Sequence, residues 1–171
     1  MTITRPQASE FAGFYAGYIG KVPDSGPVAQ LTSQIEELER LRALPDDKGN
    51  YAYADGKWTV KEVIGHLADA ERVFSYRLTR IARGDQTPLA GFDENAWALT
   101  APHGRRKMSS VVDEMIAIRR STLALIDSLD EASIANSGVA NNPVTARAIC
   151  WILAGHSRHH LDILVERYGV K

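Results

Sequence analysis

The segment "KWTVKEVIGHLADAERVFSYRLTRIARG", residues 57–84, decides the fold because it carries the start, the apolar stripe and the end of a long helix. Thr59 can cap the first turn, and Glu62, three residues later, completes a capping box. Gly84 follows basic residues and is placed to end the helix. Its apolar residues recur every three or four positions: Val60, Val63, Leu67, Ala70, Phe74, Leu78 and Ile81. We therefore expect one long amphipathic helix with a single face in a core.

Three other segments show the same helical spacing of apolar residues: one from Pro27 to just before Pro45, one from Ser109 or Ser110 to about Leu129, and one from Pro143 or Thr145 to Tyr168. The second and third helices are joined by a long connection, residues 84–108, with one short helical piece near its middle. Such a length is typical of a crossover along a bundle. No segment shows the alternating pattern of a strand. The sequence predicts an all-α four-helix bundle that forms a single domain over residues 1–171.

Composition narrows the range of partners. The 171 residues are 44% hydrophobic and 24% charged, with a net charge of −1, which gives no basic surface for nucleic acid or an anionic membrane. Cys150 is the one cysteine, so no disulfide within the chain can form, as is typical of a reducing cytoplasm. The first 20 residues lack the features of a signal peptide, and no run of 18 apolar residues occurs. We expect a cytoplasmic protein that acts on a small molecule, and neither a nucleic-acid-binding nor a membrane protein.

Three of the five histidines fall in "AGHSRHHLDIL", residues 154–164. His156 and His160 are four residues apart on a helix, so both rings can reach one ion. His159 lies at the edge of the same face and could replace His160. His66 borders the apolar stripe of the second helix and can face the other two if the helices are neighbours. Three imidazoles with no thiolate leave open positions on an ion, typical of a catalytic site for zinc, nickel, iron or copper. The alternative is that these rings only form hydrogen bonds in the core.

Several polar residues near these histidines have competing interpretations. Asp69 can orient the ring of His66, or it can be an ordinary helix carboxylate paired with Arg72. Arg77 follows His66 by eleven residues and lies on the same side of the helix, but about 16 Å along it, too far for a ligand. His103 stands in a basic loop, "APHGRRKM", and is expected to be solvated, at the rim of a pocket.

The three tryptophans also carry expectations. Trp58 precedes the cap of the second helix and is expected to form its hydrophobic staple. Trp151 is expected to pack in the core. Trp97 lies in the crossover and is the tryptophan that we expect to line a substrate entrance.

Two motifs together resemble the DinB/YfiT-like family of metal-binding four-helix bundles. They are "GKWTVKEVIGHLADAERVFSYR", residues 56–77, and "LAGHSRHHLDIL", residues 153–164, and the resemblance covers about residues 25–168. In that family one histidine of the second helix and an i, i+4 pair of the fourth hold the metal. Carried over, the ligands are His66, His156 and His160. The resemblance also implies an up-down-down-up order of helices, in agreement with the long crossover between helices 2 and 3.

The resemblance implies a metal-dependent enzyme. Family members have been described as metal-dependent hydrolases, and others are transferases or isomerases that use low-molecular-weight thiols such as bacillithiol or mycothiol. We expect a divalent transition metal, zinc first and otherwise nickel, iron or manganese, that activates water or such a thiol. His159 is the candidate proton acceptor, although it can equally be a packing or orienting residue. The alternatives are a bundle that binds metal without turnover and a dimeric scaffold linked to stress. Such bundles commonly pair, so a homodimer is compatible with the sequence, which does not establish one.

Overall fold

The computed structural model describes residues 1–170, which form eight helices and one β-hairpin. The helices are α1 (Ala16–Ile19), α2 (Gly26–Leu41), α3 (Asp46–Gly49), α4 (Val60–Ala82), α5 (Glu94–Thr100), α6 (Met108–Asp127), α7 (Glu131–Ala135) and α8 (Ala146–Tyr168). The hairpin consists of β1 (Ser137–Ala140) and β2 (Asn142–Thr145). No helix within residues 1–170 combines the length and the apolar character needed to cross a membrane.

The four long helices α2, α4, α6 and α8 form the bundle, in which α4 and α2 each pack against both α6 and α8. The direction of α6 relative to α4 follows from two sets of contacts, one at the first residues of both helices and one about ten residues later in both. Asp46 contacts both the Lys61 ammonium at 3.0 Å and the Met108 backbone N–H at 2.7 Å, at the two starts. Glu71 pairs with Arg119 about ten residues further along each helix. The two helices are therefore parallel.

Helix α8 runs antiparallel to α4. His66 near the start of α4 faces His156 in the middle of α8, and the Tyr168 hydroxyl at the end of α8 donates to the Trp58 carbonyl just before α4, at 2.5 Å. Helix α2 is parallel to α8 and antiparallel to α6. The order is up-down-down-up, as expected, and the four-helix bundle prediction is confirmed.

The predicted capping box of the second helix is present at the start of α4. The Thr59 hydroxyl accepts from the Glu62 N–H at 3.2 Å, and the Glu62 carboxylate accepts from the Thr59 N–H at 2.7 Å. After the last turn, Gly84 has a φ of 79°, the left-handed conformation that lets a chain leave a helix without strain. Both ends of this helix were thus correctly predicted from the sequence.

Several boundaries differ from the prediction. The third helix begins at Met108, not at Ser109 or Ser110, and the fourth begins at Ala146 with Thr145 as its cap. Pro143 lies instead in β2, so the expectation that the chain has no strand was wrong. The two strands have only four residues each, which is too short for alternation to stand out.

The hairpin anchors the crossover. Asn141 at its tip has a φ of 62°, and its N–H donates to the Leu89 carbonyl at 3.3 Å. The Leu89 N–H in turn donates to the Val139 carbonyl at 2.8 Å. These bonds hold the first part of the crossover against the end of the bundle where α4 stops.

A buried polar network joins all four long helices at mid-height. Arg119 of α6 is 0% exposed, and its guanidinium donates to both carboxylate oxygens of Glu71 on α4 at 2.7–3.0 Å. It also donates to the Gln34 side chain at 2.8 Å and the Leu31 carbonyl at 3.1 Å on α2, and to the Ser157 hydroxyl at 3.0 Å on α8. The network fixes the register of the helices beside the candidate site, because Ser157 directly follows a site histidine.

Candidate metal centre

Three histidines from two antiparallel helices converge in the bundle. His66 comes from α4, and His156 and His160 come from successive turns of α8. One ring nitrogen of each lies within 4.8 Å of the other two, and the His66 and His156 Nε2 atoms are 3.1 Å apart. The structure thus brings together the three residues that the sequence predicted as ligands.

The spacing of these nitrogens fits a transition metal. With Zn–N bonds of about 2.0–2.1 Å, two ligands of a tetrahedral ion are about 3.3 Å apart, close to the 3.1 Å between the two Nε2 atoms. The same distance also suits a hydrogen bond between one donor ring and one acceptor ring. Since the cluster contains imidazoles without thiolate or carboxylate among residues 1–170, an ion held here would keep its full charge and an open position.

Burial keeps these rings neutral. Desolvation lowers the pKa of His66 from 6.5 to about 4, and nearby Glu94 and Asp69 oppose this shift. Desolvation, with the other rings beside it, lowers the pKa of His160 to about 3 and that of His156 well below its ordinary value. At neutral pH each of the three rings therefore carries one proton, and its other nitrogen has a lone pair free to bind an ion.

Aromatic side chains hold the site rings in place. The Trp58 ring lies 4.8 Å from the His66 ring and is stacked 6.4 Å from the His160 ring. Tyr18 stands edge-on to His156, with 5.3 Å between ring centres. Trp58 therefore does more than form the predicted staple, since it covers two of the three site histidines.

Helix α8 approaches the N-terminal segment closely beside the site. A Cβ atom added at Gly155 would lie 1.9 Å from the Tyr18 carbonyl oxygen. Only glycine leaves room for that backbone, and this contact sets the position of Tyr18 over His156. The glycine that precedes the histidine motif is thus a packing requirement of the site.

His159 lies next to the cluster but outside it. Its half-buried ring is 5.0 Å from the His160 ring and 5.3 Å from the Tyr18 ring. Burial, and then the nearby Lys21 ammonium, lower its pKa below 6.5. The sequence left His159 as an alternative ligand to His160, and the structure groups His160 with the other two. Its role as proton acceptor stays a prediction.

The expectation that His103 is solvated was wrong. Its ring is buried against α4, where a Cβ atom at Gly65 would lie 2.3 Å from it. Neither ring nitrogen has a hydrogen-bond partner within residues 1–170, and Nε2 is 3.7 Å from an Asp69 oxygen. Asp69 pairs with Arg72 at 3.2 Å, as one of its two interpretations predicted. A glycine at the point of contact lets the loop place an imidazole in the interior.

Open space reaches the cluster on one side, at His160, whereas the cleft on the other side is too narrow to admit a water molecule. A cavity of about 250 Å³ exposes His160 between Trp58, Asn95 and Tyr168. On the other side, a narrow cleft under α5 contains His66, and it shares wall residues with a larger cavity beside α4. Trp97 lines both the cleft and the larger cavity, and its role at a substrate entrance stays a prediction. Trp151 is buried in the core, as predicted.

Comparisons with known proteins agree with this architecture. The chain is 25% identical over 156 residues to a protein of Oceanobacillus iheyensis, covering 84% of this chain and 89% of the relative. It is 31% identical over 144 residues to one of Geobacillus thermodenitrificans, covering 78% and 79%. Each relative carries the name "Putative metal-dependent hydrolase".

The solved structure of YfiT from Bacillus subtilis matches with a TM-score of 0.69 and 20% identity, covering 97% of this chain and 94% of that chain. YfiT is described as "a probable metal-dependent hydrolase with an unusual four-helix bundle topology". At this identity the match establishes the shared fold. The pattern of the DinB superfamily matches residues 30–164, which is most of the chain, and the protein therefore belongs to the DinB superfamily.

Proposed function

We propose that this protein is a metal-dependent hydrolase of small molecules, with the ion held by His66, His156 and His160. One observation carries the proposal: three neutral imidazole nitrogens converge within 4.8 Å of one another, and His160 borders an open cavity. A purely structural site would be closed, whereas His160 borders open space. The names of the relatives support the same class of activity.

The residues around the site have separate tasks in this proposal. His66, His156 and His160 would hold the ion, and zinc bound there would supply Lewis acidity and lower the pKa of bound water to about 7. Trp58 and Tyr18 fix the rings and exclude bulk water from the buried side of the cluster. His159, whose pKa is lowered by burial, is the proton acceptor in this proposal, because its ring lies 5.0 Å from the His160 ring.

Zinc is the ion that we propose, because neutral nitrogen ligands in tetrahedral geometry suit it; nickel, iron and manganese are the other candidates. A metal ion held by these three histidines would also bind a thiolate, so thiol transfer is the second reaction to assay. A metal-binding bundle without turnover is the alternative outcome.

The first experiment measures metal per chain by plasma mass spectrometry on untagged protein. We expect about one transition-metal ion in the wild type and none in the His66→Ala/His156→Ala/His160→Ala variant. His159→Ala is the matched control, since it removes an imidazole from the same helix outside the cluster, and it should retain the ion. Circular dichroism confirms that each variant is folded. A wild type that takes up no metal even after reconstitution would contradict the proposal.

Activity is then tested with two probes. Hydrolysis of p-nitrophenyl acetate tests the hydrolase, and conjugation of cysteine to monochlorobimane tests thiol transfer. We expect metal-dependent hydrolysis that a chelator abolishes, that zinc restores and that the triple variant lacks. Conjugation without hydrolysis would favour the transferase, and bound metal with neither reaction would favour the non-catalytic alternative.

A further inference from the structure

The largest cavity beside the site lies between α4 and the crossover. It has a volume of about 540 Å³ and is open on one side. Its walls include three arginines, Arg72, Arg77 and Arg80, one carboxylate, Asp69, which pairs with Arg72, and the aromatic rings of Tyr76, Phe92 and Trp97. Apolar walls with a few polar groups are typical of sites for small molecules.

Two of the three arginines in this wall are already neutralised. Arg72 forms a salt bridge with Glu114, and Arg80 forms one with Asp85. Arg77 forms no salt bridge within residues 1–170, although it is only 4% exposed. The cavity therefore presents one buried positive charge without a counterion.

The hydrogen-bonding capacity of Arg77 is also incomplete. Its Nη2 donates to the Ala90 carbonyl at 2.8 Å, and its guanidinium lies 5.6 Å from the centre of the Phe74 ring. Its Nε is buried and has no partner within the described chain. Buried donors are nearly always paired in folded proteins, and an unpaired charged group is costly. The Tyr15 hydroxyl also lies beside the guanidinium. Arg77 nevertheless lines the cavity without a carboxylate partner, which leaves its charge available to an anion bound there.

We propose that this cavity binds a small molecule with one carboxylate and a largely apolar body, and that Arg77 pairs with the carboxylate. A planar guanidinium matches a carboxylate through two parallel hydrogen bonds. The single uncompensated charge matches a monoanion. A dianionic phosphate would need a second free cation, which the paired Arg72 and Arg80 do not supply. Tyr76, Phe92 and Trp97 would contact the apolar body.

The position of the cavity connects it with the candidate metal centre. Asp69, Phe92 and Trp97 line both the cavity and the narrow cleft that contains His66. Arg77 lies eleven residues after His66 on the same side of α4, about 16 Å along the helix. A molecule held by its carboxylate at Arg77 would therefore lie on the side of α4 that carries His66, and it would reach the histidine only if the narrow cleft under α5 widened. In this respect the inference rests on the proposed function and names its substrate class, whereas carboxylate binding itself needs no metal.

The test measures binding by isothermal titration calorimetry with chelator-treated protein. The probes are 3-phenylpropionate and 3-phenylpropan-1-ol, which share the apolar body and differ in the carboxylate. We expect saturable 1:1 binding of the acid and much weaker binding of the alcohol. Arg77→Gln should weaken binding of the acid by about tenfold or more, because a charged hydrogen-bond pair is lost. Circular dichroism confirms that the variant is folded, because the shorter Gln side chain also gives up the hydrogen bond from Nη2 to the Ala90 carbonyl.

Arg80→Gln is the matched control, because it lies in the same wall of the same helix but is already paired with Asp85. It should bind the acid as the wild type does. Equal affinity in the wild type and Arg77→Gln, equal binding of acid and alcohol, or no saturable binding of the acid would each overturn the inference. The triple histidine variant should bind the acid normally, so failure of the metal site and failure of the carboxylate site can be told apart.

Discussion

Removing the buried guanidinium at the centre of the bundle should cost a large part of the stability of this protein. Replacement of Arg119 by Met leaves the Glu71 carboxylate, which is 3% exposed, without its cation. Gln34 and Ser157 lose their donor in the same step. Breaking a buried ion pair on one side costs about 3–5 kcal/mol, against a total of about 5–15 kcal/mol for a typical domain.

The assay is equilibrium urea unfolding followed by circular dichroism, in chelator so that metal does not contribute. With a urea dependence of about 2 kcal/mol per molar, a loss of about 4 kcal/mol lowers the unfolding midpoint by about 2 M. Arg120→Met is the matched control: the neighbouring arginine is two-thirds exposed, and its nearest carboxylate, on Glu39, is 3.9 Å away. It should change the free energy of unfolding by less than about 0.5 kcal/mol.

A double variant separates two effects of Arg119→Met: the loss of the ion pair with Glu71, and the burial of the Glu71 carboxylate without a cation. In Arg119→Met/Glu71→Gln the buried negative charge is gone, so at least about 1 kcal/mol should be recovered relative to Arg119→Met alone. The reasoning is refuted if Arg119→Met costs less than about 1 kcal/mol, as an exposed pair would. It is also refuted if the double variant is less stable than the single one.

Three further predictions concern the site and its supports. In metal-free protein, the free energy of unfolding should fall as the pH drops from about 7 to about 4. Burial lowers the pKa values of the three site histidines in the folded protein, whereas histidines of the unfolded chain protonate near 6.5. The unfolded chain therefore binds more protons over this range, and acid favours it. Urea titrations across this range measure the fall. Gly155→Ala should lower the melting temperature, because the added Cβ would overlap the Tyr18 carbonyl and reduce the free energy of unfolding by about 1–3 kcal/mol or more. The control variant Gly17→Ala adds a Cβ in open space and should leave the melting temperature unchanged. Burial raises the pKa of the Cys150 thiol to about 12, so Ellman's reagent should react with it only in denaturant.

A specific result would contradict each of the predictions on acid stability, Gly155 and Cys150. The fall in stability with acid should be smaller in the triple histidine variant, and an equal fall would assign it to other groups. A Gly155→Ala protein that melts with the wild type would mean that the helix and the N-terminal segment separate easily. Rapid labelling of Cys150 in the native state would mean that α8 opens on the timescale of the assay.

Features that depend on residues close together in the chain could be predicted from the sequence. The cap, the apolar stripe and the final glycine of α4 all lie within one segment, and i, i+4 spacing places His156 and His160 together on any helix. His66 could be added only by assuming that α4 and α8 are neighbours. The structure supports that assumption with the 3.1 Å contact between the His66 and His156 rings.

Features that depend on distant contacts were not found from the sequence. Arg119 stands beside Arg120, and nothing local distinguishes the buried arginine from the exposed one. In the structure Arg119 lies between the buried positions Met115 and Thr122, and the sequence alone did not show that this side of the helix is buried. His103 was misplaced for the same reason, since its burial depends on the missing side chain of Gly65, far away in sequence.

The buried polar groups of this bundle fall into two kinds, and the difference indicates where a ligand belongs. The guanidinium of Arg119 is satisfied by partners from three other helices. By contrast, three of the four buried side-chain atoms without a partner in residues 1–170 belong to Arg77 and His103, and the fourth belongs to Thr122. His103 lines the cleft that contains His66, and Arg77 lines the cavity that shares its walls. Unused hydrogen-bonding capacity is therefore concentrated along one path beside α4, from the histidine cluster to the open cavity. A structural core would have no reason to leave it there, whereas a site that receives a polar molecule would.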